Sequence, residues 1–229
     1  DQLDVNQHGS TKGRSTVTAL IHFSHSIFVT SDDNRNIIRL LFVDFSKAFD
    51  LIDHSVLYKK LTDLEFPAHV RLWSLSFVQQ RKQFVKLGNY VSNVIISNAG
   101  APQGTLAGPD DFKLLINDLR FDTTYIKYVD DVSIATISLD PKNSELQDAA
   151  NKLVGWCRSN GMALNTKKTK ELVIHFGKRV DNKSIPNIVI NETYIERVES
   201  FKLLWVYFSS DLSWLTHVAY IVSKAARRL

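Results

Sequence analysis

Residues 124–129 and 132–137 are two alternating, β-branched-rich runs separated only by Asp130-Asp131. A chain carrying such a pair must turn back on itself there, so the sequence predicts an antiparallel hairpin with two carboxylates projecting from a rigid edge. Adjacent aspartates repel unless a cation or solvent screens them, and Mg²⁺ favours one or two carboxylates plus substrate phosphates. Asp32-Asp33 and Asp110-Asp111 are similar pairs, but they read more simply as a turn and as the acidic first turn of a helix. The company kept by Asp130-Asp131 is what gives that pair chemical meaning.

Its first companion is Asp44, which follows Ile37-Ile38-Arg39-Leu40-Leu41-Phe42-Val43, a nearly continuous apolar run that reads as a buried central strand. A carboxylate leaving such a strand is poorly placed for packing and well placed for a ligand. Downstream, Asp53 caps a helix carrying Leu57, Leu61 and Leu64, and Pro67 opens another with Val70, Trp73 and Phe77 on one face. Gly88-Asn89 marks a second hairpin between residues 83–87 and 90–97. The run Gly100-Ala101-Pro102-Gln103-Gly104-Thr105 demands tight turns, with Gly104 admitting a ligand close to the main chain.

Pro109 then starts a helix whose stripe, Phe112, Leu115, Ile116 and Leu119, is core. Leu146, Ala149, Leu153 and Cys157 mark a long helix that stops at Asn160-Gly161. The basic loop 165–170 leads into a strand over residues 171–176, where His175 reads as structural. Short strands follow near residues 188–190 and 201–208, before a helix capped by Ser213 with Trp214, Val218, Ile221, Ala225 and Leu229 inward. This order predicts an α+β fold: a ferredoxin-like antiparallel sheet with helices on one face, bringing Asp44 and Asp130 to neighbouring strand ends.

At 229 residues, 44% hydrophobic and 23% charged, the chain has the composition of a globular protein, not a disordered one. Its net charge of +4 suits a polyanionic partner without identifying one. The lone Cys157 excludes an internal disulfide, argues for a reducing compartment and, within an apolar helical pattern, reads as a buried thiol. No apolar run approaches the roughly 20 residues of a membrane span, and no signal-peptide pattern opens the chain, so an intracellular protein without a membrane partner is expected. The first residue is Asp, which reads as a fragment of something longer.

Three carboxylates, Asp44, Asp130 and Asp131, can hold two divalent ions, and two ions roughly 3.5–4 Å apart serve in-line displacement at phosphorus. Phosphoryl transfer of this kind needs no covalent nucleophile. No Ser-His-Asp or Cys-His constellation stands out, and the G-x-x-x-x-G-K-[ST] loop of P-loop NTPases is missing. Lys12 and Arg14, ahead of Thr16, read equally as a phosphate-facing loop or as a solvated loop capping a helix.

Several segments, in order, resemble the palm motifs of reverse transcriptases, most closely those of non-LTR (LINE-type) retrotransposons. They are residues 42–50, Ala101-Pro102-Gln103-Gly104-Thr105 with Gly108-Pro109 and Ile116-Asn117-Asp118-Leu119, and Tyr128-Val129-Asp130-Asp131. Gln7-His8-Gly9-Ser10 through Arg14-Ser15-Thr16 resembles the fingers motif, residues 165–170 the fourth palm motif, and residues 200–204 with Asp211-Leu212-Ser213-Trp214 and His217 the primer grip. The resemblance implies a right-hand polymerase with partial fingers at 1–36, a palm at 37–200 holding an inserted fingers portion around 54–98, and the primer-grip region and start of the thumb at 201–229.

It further implies RNA-directed DNA synthesis from deoxynucleoside triphosphates on an RNA template and DNA primer, yielding an RNA–DNA duplex, with two Mg²⁺ or Mn²⁺ ions. Asp44, Asp130 and Asp131 would be catalytic, with the Phe45 carbonyl as a further metal ligand. Phe49 would gate the incoming sugar, and Pro102, Gln103 and Gly104 would line the nucleotide pocket. Lys168 would donate a proton to pyrophosphate or touch phosphate, in competition with Lys167 and Lys170. Tyr128 and Val129 would lie at the primer terminus, and Arg14 would reach the triphosphate. A nuclear setting is implied by the resemblance alone. Val129 stands where relatives commonly have Ala and Trp205 where they usually have Gly, which puts primer placement and the primer-grip turn in question. The alternatives are a catalytically silent nucleic-acid-binding fragment of a degenerate retroelement and a metal-dependent nuclease.

Overall fold

The computed structural model describes residues 3–31, 36–102, 104–105, 107–175 and 184–228. In chain order the elements are α1 (Thr16–Ser31), β1 (Ile37–Val43), α2 (His54–Asp63), α3 (Ala68–Val78), β2 (Arg81–Gln83), β3 (Lys86–Leu87), β4 (Tyr90–Val91), β5 (Ile95–Ser97) and α4 (Ala107–Leu115). They continue with β6 (Thr124–Tyr128), β7 (Asp131–Ser138), α5 (Glu145–Ser159), β8 (Lys170–Ile174), β9 (Val189–Ile190), β10 (Thr193–Tyr194), β11 (Glu196–Val198), β12 (Ser200–Leu203), β13 (Val206–Ser209) and α6 (Leu215–Ala226).

Five strands form the central sheet in the order β11-β8-β1-β7-β6. β1 lies in the middle, antiparallel to β7 and β8, and all seven of its residues are buried. Its continuous apolar run follows from being covered on both faces. Leu41 and Val43 join Phe112, Leu115, Ile116, Leu146 and Leu153 in one core, under α4 and α5. Ile38, Leu40 and Phe42 join Ala19, Phe23 and Ile27 of α1 with Leu203 and Phe208 of the β12–β13 hairpin in a second core. The expected single helical layer is therefore corrected: α1 covers the opposite face, because alternate residues of β1 are apolar in both directions.

β11 pairs parallel to β8 and extends the otherwise antiparallel sheet. Across the three neighbouring strands β11, β8 and β1, the buried Glu171 meets Arg39 at 2.6 Å and Arg197 at 3.0 Å. The α4 and α5 stripes are buried as their spacing predicts, although α4 begins two residues before Pro109. Burial pushes the Cys157 thiol up to about 12, consistent with an inert core cysteine. Asp53 caps α2 through bonds from the Ser55 and Val56 amides.

Two apolar faces differ from expectation. Trp73 of α3 is exposed, and that helix buries Ser74 and Val78 instead. α6 buries none of its residues; Trp214, Val218 and Ile221 are half exposed or more, and Trp214, not Ser213, is the capping residue. Helical spacing shows that a face is apolar, not that a neighbour covers it. The expected inward Leu229, the strand end at Phe176 and the Asp32-Asp33 turn lie outside the described residues. Among the described residues no helix is long and apolar enough to cross a membrane.

Candidate active site

The ladder between β1 and β7 runs antiparallel to Val43 and Val132. Continued by one residue, the same register sets Asp44 across from Asp131, where opposed Cα atoms stand about 4.5–5.5 Å apart. β6 and β7 close at Tyr128 and Asp131, leaving Val129 and Asp130 as the turn. Val129 holds φ at +58°, a left-handed conformation that is strained for a β-branched residue. Topology thus brings the three expected carboxylates to one end of two neighbouring strands.

Their electrostatics reflect that crowding. Asp131 is open to solvent on one side, yet its carboxyl is pushed up to about 6 by the protein packed around it and then by Asp130 and Asp44. Asp130 is raised as well, by burial and by Asp44, against a backbone hydrogen bond that favours its ionised form. Such a set is short of positive charge. Among the described residues no three His, Cys, Asp or Glu side chains converge closely enough to hold an ion as they stand. The donor chemistry nevertheless fits a hard divalent cation, which takes carboxylate and carbonyl oxygens and keeps several waters.

Phe45 makes a single antiparallel bridge to Leu164. The flanking bonds are donated by Asn165 N to the Asp44 carbonyl and by Ser46 N to the Ala163 carbonyl, both at 2.8 Å. Strand carbonyls alternate in direction, so the Phe45 carbonyl points to the other edge, towards β7. Behind Asp44, its amide donates to the Thr169 hydroxyl at 3.2 Å, fastening the 165–170 loop to the carboxylate's strand. On that loop Lys170 pairs with Glu196 at 2.6 Å, while Lys167 and Lys168 are exposed. Of the three lysines expected to compete, Lys170 is thus engaged by a surface ion pair, while Lys167 and Lys168 stand free of one among the described residues.

Two of the segments expected to line a nucleotide adjoin through backbone hydrogen bonds. Ala101 N donates to the Phe49 carbonyl and Gly100 N to the Ile52 carbonyl, each at 2.8 Å, so Phe49 and Pro102 belong to adjoining segments. Gly100 has φ +81°, and a Cβ there would lie 2.8 Å from the Phe49 carbonyl oxygen. Phe49 leans on Phe112, with ring centroids 5.3 Å apart. The Thr105 hydroxyl donates to the Pro102 carbonyl at 2.8 Å, and a Cβ on Gly104, at φ +81°, would meet nothing within 4 Å among the described residues. Gln103 lies outside the described residues.

Arg14 donates to the carbonyls of Val5 and Gln7 and staples the N-terminal loop together, so the structure gives it a structural task. Tyr128 is half buried at the end of β6, packed against the second core. Trp205 forms the β12–β13 turn together with Leu204, at φ +73° and +44°. The turn therefore forms without the Gly. A surface cavity of about 480 Å³, lined by Asp53, His54, Gln79 and Asn98 among others, includes none of the expected site residues.

Sequence reasoning missed the second layer of the site. Gln7 is 2% exposed and its side-chain oxygen accepts from Val129 N at 3.2 Å. Gly9 lies so close to the hairpin that a Cβ would fall 2.5 Å from Val129 N. The only signal was the Gln7-His8-Gly9 motif itself, which specified no partner.

The sequence pattern of the family described as "Reverse transcriptase (RNA-dependent DNA polymerase)" matches residues 1–207. Relatives include the RNA-directed DNA polymerase from mobile element jockey of Drosophila melanogaster, 26% identical over 79% of this chain and 20% of that protein. The probable RNA-directed DNA polymerase from transposon X-element of the same species is 25% identical over 93% of this chain and 24% of its own length. The chain thus spans between a fifth and a quarter of these two relatives. Among solved structures, telomerase from Candida albicans, in complex with a TWJ fragment of telomeric RNA, has a TM-score of 0.59 at 14% identity, covering 91% of this chain and 35% of that one. That likeness bears on the fold, which is of the right-hand polymerase kind. The chain belongs to the reverse transcriptase family, and its relatives among Drosophila mobile elements set it with the non-LTR, LINE-type members.

Proposed function

We propose that this chain carries the polymerase centre of an RNA-directed DNA polymerase, adding deoxynucleotides to a DNA primer 3′ end on an RNA template. The observation that carries the reading is the register of β1 against β7, paired to Val43 and Val132, which continued by one residue opposes Asp44 and Asp131 beside the Asp130 turn. Asp44, Asp130, Asp131 and the Phe45 carbonyl would hold Mg²⁺ or Mn²⁺. Bound there, two such ions stabilise the attacking and leaving oxygens of an in-line displacement at phosphorus.

The chain's own residues supply position. Phe49, braced by Phe112, would sit beneath the incoming sugar and exclude a 2′-hydroxyl by contact. Pro102 and Gly104 would line the nucleotide, with Gln103 between them. Tyr128 and Val129 would support the primer terminus, and Lys168 or Lys167 would meet the departing pyrophosphate. The fingers, palm and primer-grip assignments, 1–36, 37–200 and 201–229, belong to the same reading. RNA and the growing duplex would be held mainly through phosphates, with the salt dependence that implies.

Primer extension on an RNA template with Mg²⁺ or Mn²⁺ tests the reading, with Asp130→Asn as control. Extension by the parent and none by the variant, with duplex binding retained by both, is the expected result. Duplex binding without extension by the folded parent would instead identify a silent nucleic-acid-binding protein, and cleavage without extension a nuclease.

A further inference from the structure

The carboxylate-bearing turn is held from outside its own hairpin. The N-terminal segment runs beside β6: His8 N donates to the Lys127 carbonyl at 2.8 Å and Lys127 N to the Asn6 carbonyl at 2.9 Å, with Gln7 and Lys127 in a parallel bridge. This places the Gln7 side chain under the turn. Its Oε1 accepts from Gly9 N at 2.9 Å and from Val129 N at 3.2 Å. Both donors are backbone amides, so the orientation of the side-chain amide is fixed by them. The other end, Nε2, is buried without a partner among the described residues. A buried donor without a partner costs free energy, so whatever Gln7 contributes here comes through the two bonds its oxygen accepts.

What that oxygen holds is an unfavourable conformation. Val129, at φ +58°, is β-branched, and such residues persist in the left-handed region only where the surroundings over-determine them. Gly9 completes the clamp by close approach, since a Cβ would lie 2.6 Å from Val129 Cγ2. We infer that Gln7 is a positioning residue for the reaction: it accepts the Val129 amide hydrogen bond, keeps the turn left-handed and thereby aims Asp130 and Asp131. The inference rests on the polymerase reading for its catalytic consequence, though not for the contact itself.

Two measurements separate these. Amide hydrogen exchange on Gln7→Met and Gln7→Glu reads the contact without any activity. In Gln7→Met the Val129 amide should exchange at least about tenfold faster while the strand amides of β1 keep their protection. Gln7→Glu, which retains an acceptor at the same reach, should keep the Val129 amide protected. Unchanged exchange of Val129 in Gln7→Met overturns the clamp. If Gln7→Met does not fold, Gln7→Glu decides, because loss of Val129 protection there contradicts the assignment.

Primer extension then reads the consequence. Gln7→Met should lower kcat roughly 10- to 100-fold with little change in KM for the nucleotide, as misplacement of reacting groups does. Glycine adopts the left-handed region without help, so adding Gln7→Met to Val129→Gly should cost less than about threefold further. A Gln7→Met loss just as large in the Val129→Gly background would show that Gln7 acts some other way. A parent that extends no primer while Gln7→Met still deprotects Val129 would count against the polymerase reading and leave the clamp standing.

Discussion

Lys127 Nζ lies 2.6 Å from the Asp4 carboxylate, and both side chains are shut off from solvent. The same ammonium donates to the carbonyls of Ile116 and Leu119, each at 2.9 Å, in the turn that follows α4. Asp4 in turn accepts from the Tyr125 hydroxyl at 2.9 Å, while its amide donates to the Asn117 side chain at 2.8 Å. One buried cation thus joins the N-terminal segment, the exit of α4 and the strand leading to the Asp130 turn. Removing one partner of a buried pair strands the other charge, so Lys127→Met should destabilise the fold by about 3–5 kcal/mol. Urea denaturation should show Lys127→Met paired with Asp4→Asn recovering part of that loss. A loss in the double variant equal to the sum of the two singles would mean that the pair is not coupled.

Two glycines at the same φ of +81° should behave differently. Among the described residues a Cβ on Gly104 meets nothing within 4 Å, so Gly104→Ala bears chiefly the left-handed penalty of about 1–2 kcal/mol. At Gly100 the Cβ would also stand 2.8 Å from the Phe49 carbonyl oxygen and 2.9 Å from that of Asp50. Gly100→Ala should therefore destabilise by roughly 2 kcal/mol more than Gly104→Ala. Thermal or urea midpoints of the two variants, compared side by side, check the ranking.

Asp111 supplies a pH dependence. It is buried on α4, receives the Ser74 hydroxyl on one oxygen at 3.2 Å and leaves the other without a partner among the described residues. Burial, together with Asp110, pushes its carboxyl up to about 6 from 3.8, against the Ser74 bond and His54. The folded state therefore favours the protonated acid. Its contribution to stability is fully present below about 3.8 and is lost as pH rises through about 6. Asp111→Asn should flatten the stability profile across that window and make the protein more stable at pH 7.5 by about 1–2 kcal/mol. Parent and variant profiles that run parallel from pH 4 to 7.5 would contradict this.

The sequence disclosed those parts of the site that periodicity and motif can carry. The alternation around Asp130-Asp131, the continuous run before Asp44 and the α4 and α5 stripes each announce a local element, and β1 at the sheet centre follows from its apolar residues on both faces. What stayed hidden is non-local or against type. Lys127 falls where a strand residue would ordinarily seek water, and nothing nearby in sequence predicts that Asp4 neutralises it. Gln7 reaches Val129 across a separation of 122 positions, with no pattern to signal it. The α6 face reads as core and is exposed, because amphipathicity reports a preference and not the presence of a partner.

Phe49 offers the sharpest functional test, resting on the polymerase reading. Its main chain is tied to the Ala101 segment by a 2.8 Å hydrogen bond, and its ring is braced at 5.3 Å by Phe112. The ring thus has little room to retreat from a bulkier sugar. Phe49→Val shortens the side chain while leaving the backbone bond intact. A contact that merely excludes a hydroxyl is worth about 1–3 kcal/mol, or roughly 10- to 200-fold. Phe49→Val should narrow the preference for deoxy- over ribonucleoside triphosphates by that order, with extension from deoxynucleotides reduced much less. The check is kcat/KM for the two nucleotide classes on one RNA template. An unchanged ratio, with synthesis otherwise intact, would place the sugar elsewhere and remove Phe49 from the pocket.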